Sequence, residues 1–336
     1  MPAPESFSLA VPAPERRGRP WHVRLEADDV DVQASSQVDW RLRYEQLSAG
    51  AFHGSIEHID LGGLRLVREG SNRAMRQRGQ LGEGAYGFAV PLGDGATALL
   101  NGQRVESDSL MIGCGDDLDL CTPADFRLIG VVIGSELFSG VWQSLYAAPT
   151  APSLERQVVV HEDRCAVALR SVLLQAFETI QRHPGLLDDA AAVSRLRDTL
   201  VLECLEAVPG KIDLTGLKSA ATRRRVVDRA CQFVLAEPSE PVSLLDVCRN
   251  IGASRRKLNY CFQDVLGSSP ARYLRALRLN GVRRALKCPG DRRVGVQDIA
   301  ARWGFWHLGQ FSTDYKRQFC ELPSQTLARA RCALPN

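Results

Sequence analysis

A duplicated segment near the C-terminal end constrains the fold of this 336-residue chain more than any other feature. The first copy begins at Leu245-Asp246-Val247-Cys248 and the second at Gln297-Asp298-Ile299-Ala300. In each copy a short segment with an apolar face stops at a glycine, Gly252 or Gly304, and a second periodic segment follows after a short turn. Glycine accepts turn conformations that a residue with a Cβ atom resists. The repeat therefore predicts two helix-turn-helix units.

The second helix of each unit has an inward and an outward side. Leu258 and Phe262 form an inward pair at i, i+4 spacing in the first copy, where Ser254 is a good N-cap. Phe311 and Tyr315 form the inward pair of the second copy. Arg and Lys suit guanine edges, Asn and Gln suit adenine, and Thr can contact a thymine methyl. The candidate DNA-contacting residues are Arg255, Arg256, Lys257, Asn259, Tyr260, His307, Gln310, Thr313, Lys316 and Arg317.

These motifs resemble the paired helix-turn-helix domain of the AraC/XylS family of transcription regulators, over residues 221–330. The residues that carry the resemblance are Arg278-Leu279, Ala285-Leu286, Asp298-Ile299-Ala300, Gly304-Phe305, Phe311-Ser312, Lys316-Arg317, Phe319 and Pro323. Cys248, Val282 and Cys320 are small-residue departures from the family pattern, while Gly309 implies an altered readout by the second helix. The resemblance implies double-stranded DNA, RNA polymerase and a small-molecule effector as partners, and a homodimer.

Residues 270–286 between the two copies read as one helix with two apolar stripes, which suits packing against both units. Its length of roughly 25 Å compares with the ~34 Å between successive major grooves on one side of DNA. One subunit is therefore expected to span two turns of the duplex.

The charge of the chain is distributed unevenly. From Ala221 onward there are 21 Lys and Arg against 9 Asp and Glu, although the whole chain has a formal net charge of only +3. A basic C-terminal third favours binding to phosphates with release of counterions. The alternative is a solvated basic surface without a partner.

The ten cysteines are scattered, without a C-x-x-C pair or a Cys/His cluster, which argues against a zinc site or a disulfide framework. Cys114 and Cys121 are candidates for an oxidant sensor, but inert cysteine is the favoured interpretation. There is no signal-peptide pattern and no long apolar run, so we expect a cytoplasmic protein without a membrane partner. No cofactor is expected.

The N-terminal half consists of short alternating runs, which predict an antiparallel sandwich or barrel. Examples are residues 56–61, 64–68, 86–90, 109–112 and 126–133. Position and pattern resemble the cupin-like, jelly-roll sensor domain of many AraC-family proteins. The predicted fold is therefore α+β multidomain, with an antiparallel β sensor domain and helical pair followed by an all-α double helix-turn-helix domain. The predicted map is residues 1–20 as a flexible arm, 21–160 as the sensor, 161–208 as the helical pair, 209–220 as a linker and 221–336 as the DNA-binding domain.

An enzyme of the cupin class tethered to DNA is a second hypothesis, because such enzymes bind a metal through histidines and a glutamate. Here His53 and His58 flank Glu57, and His161 comes much later. Residues five apart on a strand point to opposite faces, so a shared metal is not expected. No catalytic or metal-binding residues are predicted. A third hypothesis is an architectural DNA binder with a barrel that senses nothing.

A barrel without a metal can still bind a small molecule at its mouth. The candidate effector-binding residues are Trp40, Tyr44, Phe52, Glu57 and Phe88, with Trp142 as a further aromatic. A carboxylate would pair with a cationic ligand and the rings would stack over it. The stretches Gly304-Phe305-Trp306-His307-Leu308 and Glu321-Leu322-Pro323 resemble ethanolamine-utilisation-like regulators of the family, which implies a small amine.

Residues 162–207 show a helical period, with one apolar stripe beginning at Ala166 and another at Val193, separated by His183-Pro184-Gly185. An antiparallel helix pair of this kind suits dimerisation, and packing within one subunit is the alternative. Taken together, the sequence predicts a ligand-responsive transcription activator. The effector, the operator, the sign of regulation and the oligomeric state remain open.

Overall fold

The computed structural model describes residues 20–333 apart from 38–39, 83, 94, 115–116, 147–157, 162, 207–214, 237, 240–241, 243 and 290–293. The chain divides into two compact units. The first unit is Met1–Tyr44, His53–Asn72 and Arg76–Ile212, and the second is Glu45–Phe52, Arg73–Met75 and Asp213–Asn336. Nearly all of the predicted N-terminal arm lies outside the described residues.

The first unit contains two antiparallel sheets. The strands are β1 (Trp21–Ala27), β2 (Arg41–Gln46), β3 (Gly54–Asp60), β4 (Leu64–Ser71), β5 (Met75–Gln80), β6 (Tyr86–Leu92), β7 (Ala98–Leu100), β8 (Gln103–Val105), β9 (Ser109–Cys114), β10 (Leu118–Thr122), β11 (Phe126–Ile133) and β12 (Val158–His161). One sheet has the order β1-β3-β4-β11-β6-β9-β12 and the other β2-β5-β10-β7-β8. The predicted antiparallel sandwich is confirmed.

Alternation along each strand produces two apolar faces on the seven-stranded sheet. Ile59 pairs with Leu66, and both lie in a core cluster with helical residues. Val67 is the next residue on β4, so its side chain points to the opposite face. Gly62 and Gly63 form the turn between β3 and β4 with φ of 76° and 79°, conformations that favour glycine.

Helices cover one face of this sheet. They are α2 (Ser135–Tyr146), α3 (Asp163–Arg182) and α4 (Ala190–Glu206), and α1 (Val30–Ser35) precedes β2. The predicted stripe of α3 is buried against the sheet, with Leu169 and Leu173 almost fully inaccessible. The break at His183-Pro184-Gly185 becomes a 3-10 turn, Pro184–Asp188. The two stripes are therefore engaged within one subunit.

A second apolar cluster joins side chains of both sheets. Its members are Ala98, Leu100, Val105, Met111, Leu118, Leu120, Phe126, Leu128 and Val159. These residues come from strands of either sheet, so this cluster is the interior of the sandwich.

The second unit contains seven further helices in its described residues. They are α5 (Thr215–Ala236), α6 (Leu244–Ile251), α7 (Arg255–Leu266), α8 (Pro270–Lys287), α9 (Val296–Arg302), α10 (Leu308–Phe319) and α11 (Pro323–Ala333). Residues 215–220, predicted as linker, are instead the first turns of α5, which begins at Thr215. The rest of the predicted linker, residues 209–214, lies outside the described part of the chain.

We name α5–α7 the first lobe and α9–α11 the second lobe. The central helix α8 carries both predicted stripes, and its residues Leu279, Val282 and Leu286 pack in the core of the second lobe. Gly281 is required there, because a Cβ atom at this position would lie 2.2 Å from the Trp303 ring at the end of α9. The absence of a side chain on α8 therefore permits the close α8–α9 contact.

Candidate nucleic-acid interface and ligand cavity

The first helix-turn-helix motif consists of α6 and α7. Gly252 supplies the turn with φ 66°, and the Ser254 hydroxyl accepts a hydrogen bond of 3.2 Å from the Lys257 backbone N–H. Leu258 and Phe262 are buried as predicted, so α7 has one face in the core. The predicted contact residues of this helix are all exposed: Arg255, Arg256, Lys257, Asn259 and Tyr260.

Arg223, a residue of α5, contacts the exposed Tyr260 side chain of α7. The Arg223 guanidinium lies 5.9 Å from the centre of the Tyr260 ring, and it forms an ion pair of 2.5 Å with Asp264. Arg223 belongs to the basic run at the start of the predicted DNA-binding domain. Its contacts show that this arginine helps to position α7 side chains rather than being simply solvated.

The second helix-turn-helix motif consists of α9 and α10. Gly304 supplies the turn with φ 75°, and Phe311 and Tyr315 are buried as predicted. His307 occupies the N-cap position without a side-chain capping bond, which follows from its not being a preferred cap. The predicted contact residues on and before α10 are all exposed: His307, Gln310, Thr313, Lys316 and Arg317.

The two recognition helices end differently. Gly267 caps α7 with φ 61°, whereas Cys320 caps α10 in the same left-handed conformation with φ 58°. The departure of Cys320 from the family pattern therefore carries a backbone cost, since a Cβ atom disfavours this conformation.

Asp314 is a buried carboxylate on α10, only 2% exposed. Gln310 donates to Asp314 Oδ2 over 3.1 Å, and Arg317 donates to Oδ1 over 3.0 Å. Arg275 of α8 also forms an ion pair with Asp314. This carboxylate therefore holds two of the predicted DNA-contacting side chains and ties them to the central helix. Sequence reasoning missed this role, although the i−4 and i+3 spacing on one helix was visible.

The interior of the first unit contains a cavity of about 80 Å³. Small residues on facing positions of three strands leave this space: Gly87 pairs with Gly113, and Ala89 pairs with Gly130. A Cβ atom on Gly130 would lie 2.7 Å from the Phe88 carbonyl oxygen, so glycine is required there. Most of the lining is apolar, and its polar side chains include Glu69 and Gln77.

Glu69 is a buried carboxyl group beside this cavity, 5% exposed. Its Oε1 accepts from Gln33 over 2.7 Å and its Oε2 accepts from Gln77 over 3.1 Å, while the Tyr44 hydroxyl also bonds to it. Burial raises the pKa of Glu69, and these three hydrogen bonds only partly offset that effect. All three of these hydrogen-bond partners, which belong to the described part of the chain, are uncharged.

His58 lies on the same face as Val67, with which it pairs, and contacts the Trp40 ring edge-on at 5.8 Å between centroids. Neither ring nitrogen has a hydrogen-bond partner among the described residues. Burial and the charge of Arg65 lower the pKa of His58 to about 3. This imidazole is therefore neutral at physiological pH.

The structure corrects the assignment of Glu57 to the effector site. Glu57 pairs with Arg68 across β3 and β4 on the helix-covered face of the sheet, away from the cavity. It also accepts hydrogen bonds from His22 over 2.8 Å and Gln181 over 2.7 Å. Burial raises its pKa, but the bonds from Gln181, His22 and Arg68 outweigh burial and the net pKa is lowered. Successive side chains on a strand point to opposite faces, so Glu57 and the interior-facing His58 lie on opposite sides of β3.

The structure places the aromatic candidates for effector binding in different environments. Trp40 lines the cavity, and Tyr44 lies behind Glu69 through its hydrogen bond. Phe88 borders the cavity, but its ring belongs to the helix-side cluster, 6.2 Å from the Phe138 ring. Phe52 is corrected, because it is buried in the second unit and does not line the cavity. Trp142 is likewise packed against the helix-side cluster.

Within the described residues, no group of three or more His, Cys, Asp or Glu side chains is arranged to hold a metal ion. His58 is buried while His53 is exposed and pairs with Glu26 over 3.5 Å, so the two point to different environments. Cys121 is buried and forms no disulfide with another described residue, and the Cys114 side chain lies outside what the structure describes. Across the described helices, none has the length and apolar content that a bilayer span requires.

Comparison with known proteins matches residues 247–329 to the family described as Helix-turn-helix domain. The probable thc operon regulatory protein of Rhodococcus erythropolis is 37% identical over 102 residues, which are 30% of this chain and 31% of that protein. XylDLEGF operon transcriptional activator 2 of Pseudomonas putida is 31% identical over 136 residues, which are 39% of this chain and 87% of that protein. The chain belongs to the AraC/XylS family.

The two sequence relatives match 30% and 39% of this chain. The matched stretch spans about a third of the length of the Rhodococcus relative. Among solved structures, an AraC-type regulator from Chromobacterium violaceum is similar with a TM-score of 0.30 and 29% identity, covering 34% of this chain and 99% of that one. Because this score is low, the family assignment rests on the sequence relatives.

Proposed function

We propose that this AraC/XylS protein is a transcription activator that binds a specific site on double-stranded DNA and responds to a small molecule bound in its N-terminal sandwich. The observation that carries the proposal is the exposure of polar and cationic side chains on α7 and α10, while the opposite faces of both helices are buried. The basic charge of the chain from Ala221 onward supports contact with phosphates. No catalytic activity is part of this proposal.

The two kinds of DNA contact are assigned to different residues. Arg255, Arg256 and Asn259 lie on the first turns of α7, where a recognition helix reaches base edges in a major groove. Arginine reads guanine and asparagine reads adenine through paired hydrogen bonds. Lys316 and Arg317 lie near the other end of α10, so they are assigned to phosphates, which position the protein without reading sequence.

The effector is proposed to be a small amine bound in the cavity of the first unit. Glu69 is the buried carboxyl group that lines this cavity, and its partners Gln33, Gln77 and Tyr44 are all neutral. A buried carboxylate without a counter-ion is unstable, and an incoming ammonium group would supply one. The volume of about 80 Å³ is roughly half of the 150 Å³ of an apolar protein cavity that binds benzene, which limits the ligand to a few heavy atoms.

A homodimer and RNA polymerase are the proposed macromolecular partners besides DNA. Val167 on α3 is 50% exposed and Leu202 on α4 is 42% exposed, although both are apolar. Exposed apolar side chains on neighbouring helices favour an interface with a second copy. An activator also has to contact the polymerase that it recruits. A cytoplasmic location is part of this proposal, because DNA and RNA polymerase are its partners.

Gel-shift titration of the full chain tests the DNA-binding half of the proposal. Sites selected from a random duplex library should bind more tightly than random DNA, by the factor of 10³ or more that is common for specific regulators. Affinity should fall steeply with salt. Equal affinity for selected and random duplexes would remove the proposed function.

Calorimetry with three ligands of similar size tests the effector half. We expect n-butylamine to bind at least about tenfold more tightly than 1-butanol, because hydrogen bonds to charged groups are worth about 1.5–3 kcal/mol, and butyrate not to bind. Glu69→Gln should remove this preference, whereas Glu57→Gln, on the other face of the sheet, should retain it. Preference for butanol or butyrate would contradict the amine assignment.

A further inference from the structure

The N-terminal end of α10, residues 306–309, is named here the α10 tip, and it presents two exposed apolar side chains on either side of His307. Trp306 is 60% exposed and Leu308 is 43% exposed. The equivalent first turn of α7 presents Arg255, Arg256 and Lys257, all exposed. The two recognition helices therefore offer opposite chemistry at the ends that approach base edges.

The polar side chains of α10 are partly occupied by contacts within the protein. The Gln310 amide nitrogen donates to Asp314, as does Arg317. The Thr313 hydroxyl donates to the Gly309 carbonyl oxygen over 3.0 Å, one turn earlier. These bonds direct part of the hydrogen-bonding capacity of α10 back into the protein, while the apolar side chains of the tip remain exposed.

Gly309 increases the space in front of the tip. A Cβ atom built on Gly309 would meet no atom within 4 Å, so packing inside the protein does not require glycine there. Its missing side chain instead lets another molecule come close to the helix backbone between Leu308 and Gln310.

We propose that the α10 tip reads thymine methyl groups, so that the operator has one half-site read through guanine and adenine by α7 and a thymine-containing half-site read by α10. The inference rests on the proposed DNA-binding function. In the major groove the C5-methyl of thymine is the apolar group on a base edge, and apolar side chains recognise it by contact. Trp306 and Leu308 supply that contact, and the space at Gly309 admits the base edge.

Deoxyuridine tests this directly, because it differs from thymidine only by lacking the methyl group. The full chain is used to select sites, each half-site is located by footprinting, and every thymine of one half-site at a time is replaced by deoxyuridine. Replacement in the α10 half-site should weaken binding by about fourfold for each contacted methyl, the value for one buried carbon. Replacement in the α7 half-site should have little effect.

Variants connect the methyl effect to the α10 tip. Leu308→Ala and Trp306→Ala should each reduce the methyl effect, and the double variant should bind thymine and deoxyuridine duplexes equally. Leu322→Ala is the matched control, because Leu322 is also apolar and 38% exposed but lies outside α10; this variant should retain the full methyl effect.

Two outcomes would overturn the inference. Wild-type protein that binds deoxyuridine and thymine sites equally would exclude methyl readout without any variant. Tip variants with unchanged DNA affinity but lost activation would identify the surface as a contact for another protein. A chain that selects no DNA site at all would instead remove the underlying proposed function, so the two failures can be distinguished.

Discussion

The C-terminal ends of the two recognition helices provide a test of backbone strain with an internal reference. Gly267 and Cys320 have nearly the same conformation, with φ of 61° and 58° and ψ of 20°. Both N–H groups bond back into their helices, over 2.9 Å and 2.8 Å. Cys320 is exposed, so its side chain contributes little packing. We predict that Cys320→Gly stabilises the second lobe.

The expected gain follows from two opposing terms. A residue with a Cβ atom in the left-handed region costs about 1–2 kcal/mol. Glycine loses about 0.5–1 kcal/mol more conformational freedom on folding. The net stabilisation by Cys320→Gly should therefore be about 0.5–1 kcal/mol. Gly267→Ala should destabilise the first lobe by a similar amount.

Hydrogen exchange of the full chain under reducing conditions measures each lobe separately. Amides of α10 and α11 should exchange more slowly in Cys320→Gly, and those of α7 should exchange faster in Gly267→Ala. Cys320→Ser is the matched control, since it removes the thiol but keeps the Cβ atom, and its exchange should be unchanged. A gain in Cys320→Ser equal to that in Cys320→Gly, or no gain in either, would refute the role of backbone strain.

Three further predictions concern DNA readout and pH. Arg256→Ala should relax base preference at one position, with a loss of about 1–3 kcal/mol of binding free energy. Arg317→Ala should weaken the affinity for all DNA sequences alike and flatten its salt dependence. Equal behaviour of the two variants in gel shifts would contradict this division. Asp314→Asn should cost about 1 kcal/mol or less, because Arg275 and Arg317 are 45% and 69% exposed and water can solvate them. Its selected sites should nevertheless change in the α10 half-site, as Gln310 becomes free to read a base; unchanged selection would exclude a positioning role. His58→Leu should remove a pH dependence of the first unit, measured by hydrogen exchange from pH 7 to pH 5.

The sign of the His58 effect follows from its lowered pKa. The folded protein holds His58 neutral to about pH 3, while the unfolded chain takes up a proton near pH 6.5. Stability is therefore fully present above pH 6.5 and falls by up to about 1.4 kcal/mol per pH unit below it. His53→Leu is the control, because it replaces an exposed histidine, whereas His58 is buried. A wild-type slope identical to that of His58→Leu would contradict the burial of a neutral imidazole.

Local signals in the sequence were sufficient for the second unit. The inward pairs Leu258 with Phe262 and Phe311 with Tyr315 are buried as predicted, and the Ser254 cap forms. Helix periodicity, caps and glycine turns involve residues within a few positions of each other, so they can be recognised without the fold. The same locality made the exposed contact residues identifiable, although their binding to DNA remains a prediction.

The effector site depended on information that is not local. Glu57 and Glu69 are both acidic residues on strands with an alternating apolar pattern. Only the pairing of β4 with β3 and β11 shows that Glu69 faces the interior while Glu57 faces the helices. The small residues beside the cavity also come together only through strand pairing, Gly87 with Gly113 and Gly130 with Ala89. Thus the sequence by itself determined the family, the two kinds of unit and the outward side chains of the recognition helices. The tertiary structure decided which face of each strand is enclosed, because a side-chain period of two leaves both faces equivalent until strands pair and a second layer covers one of them.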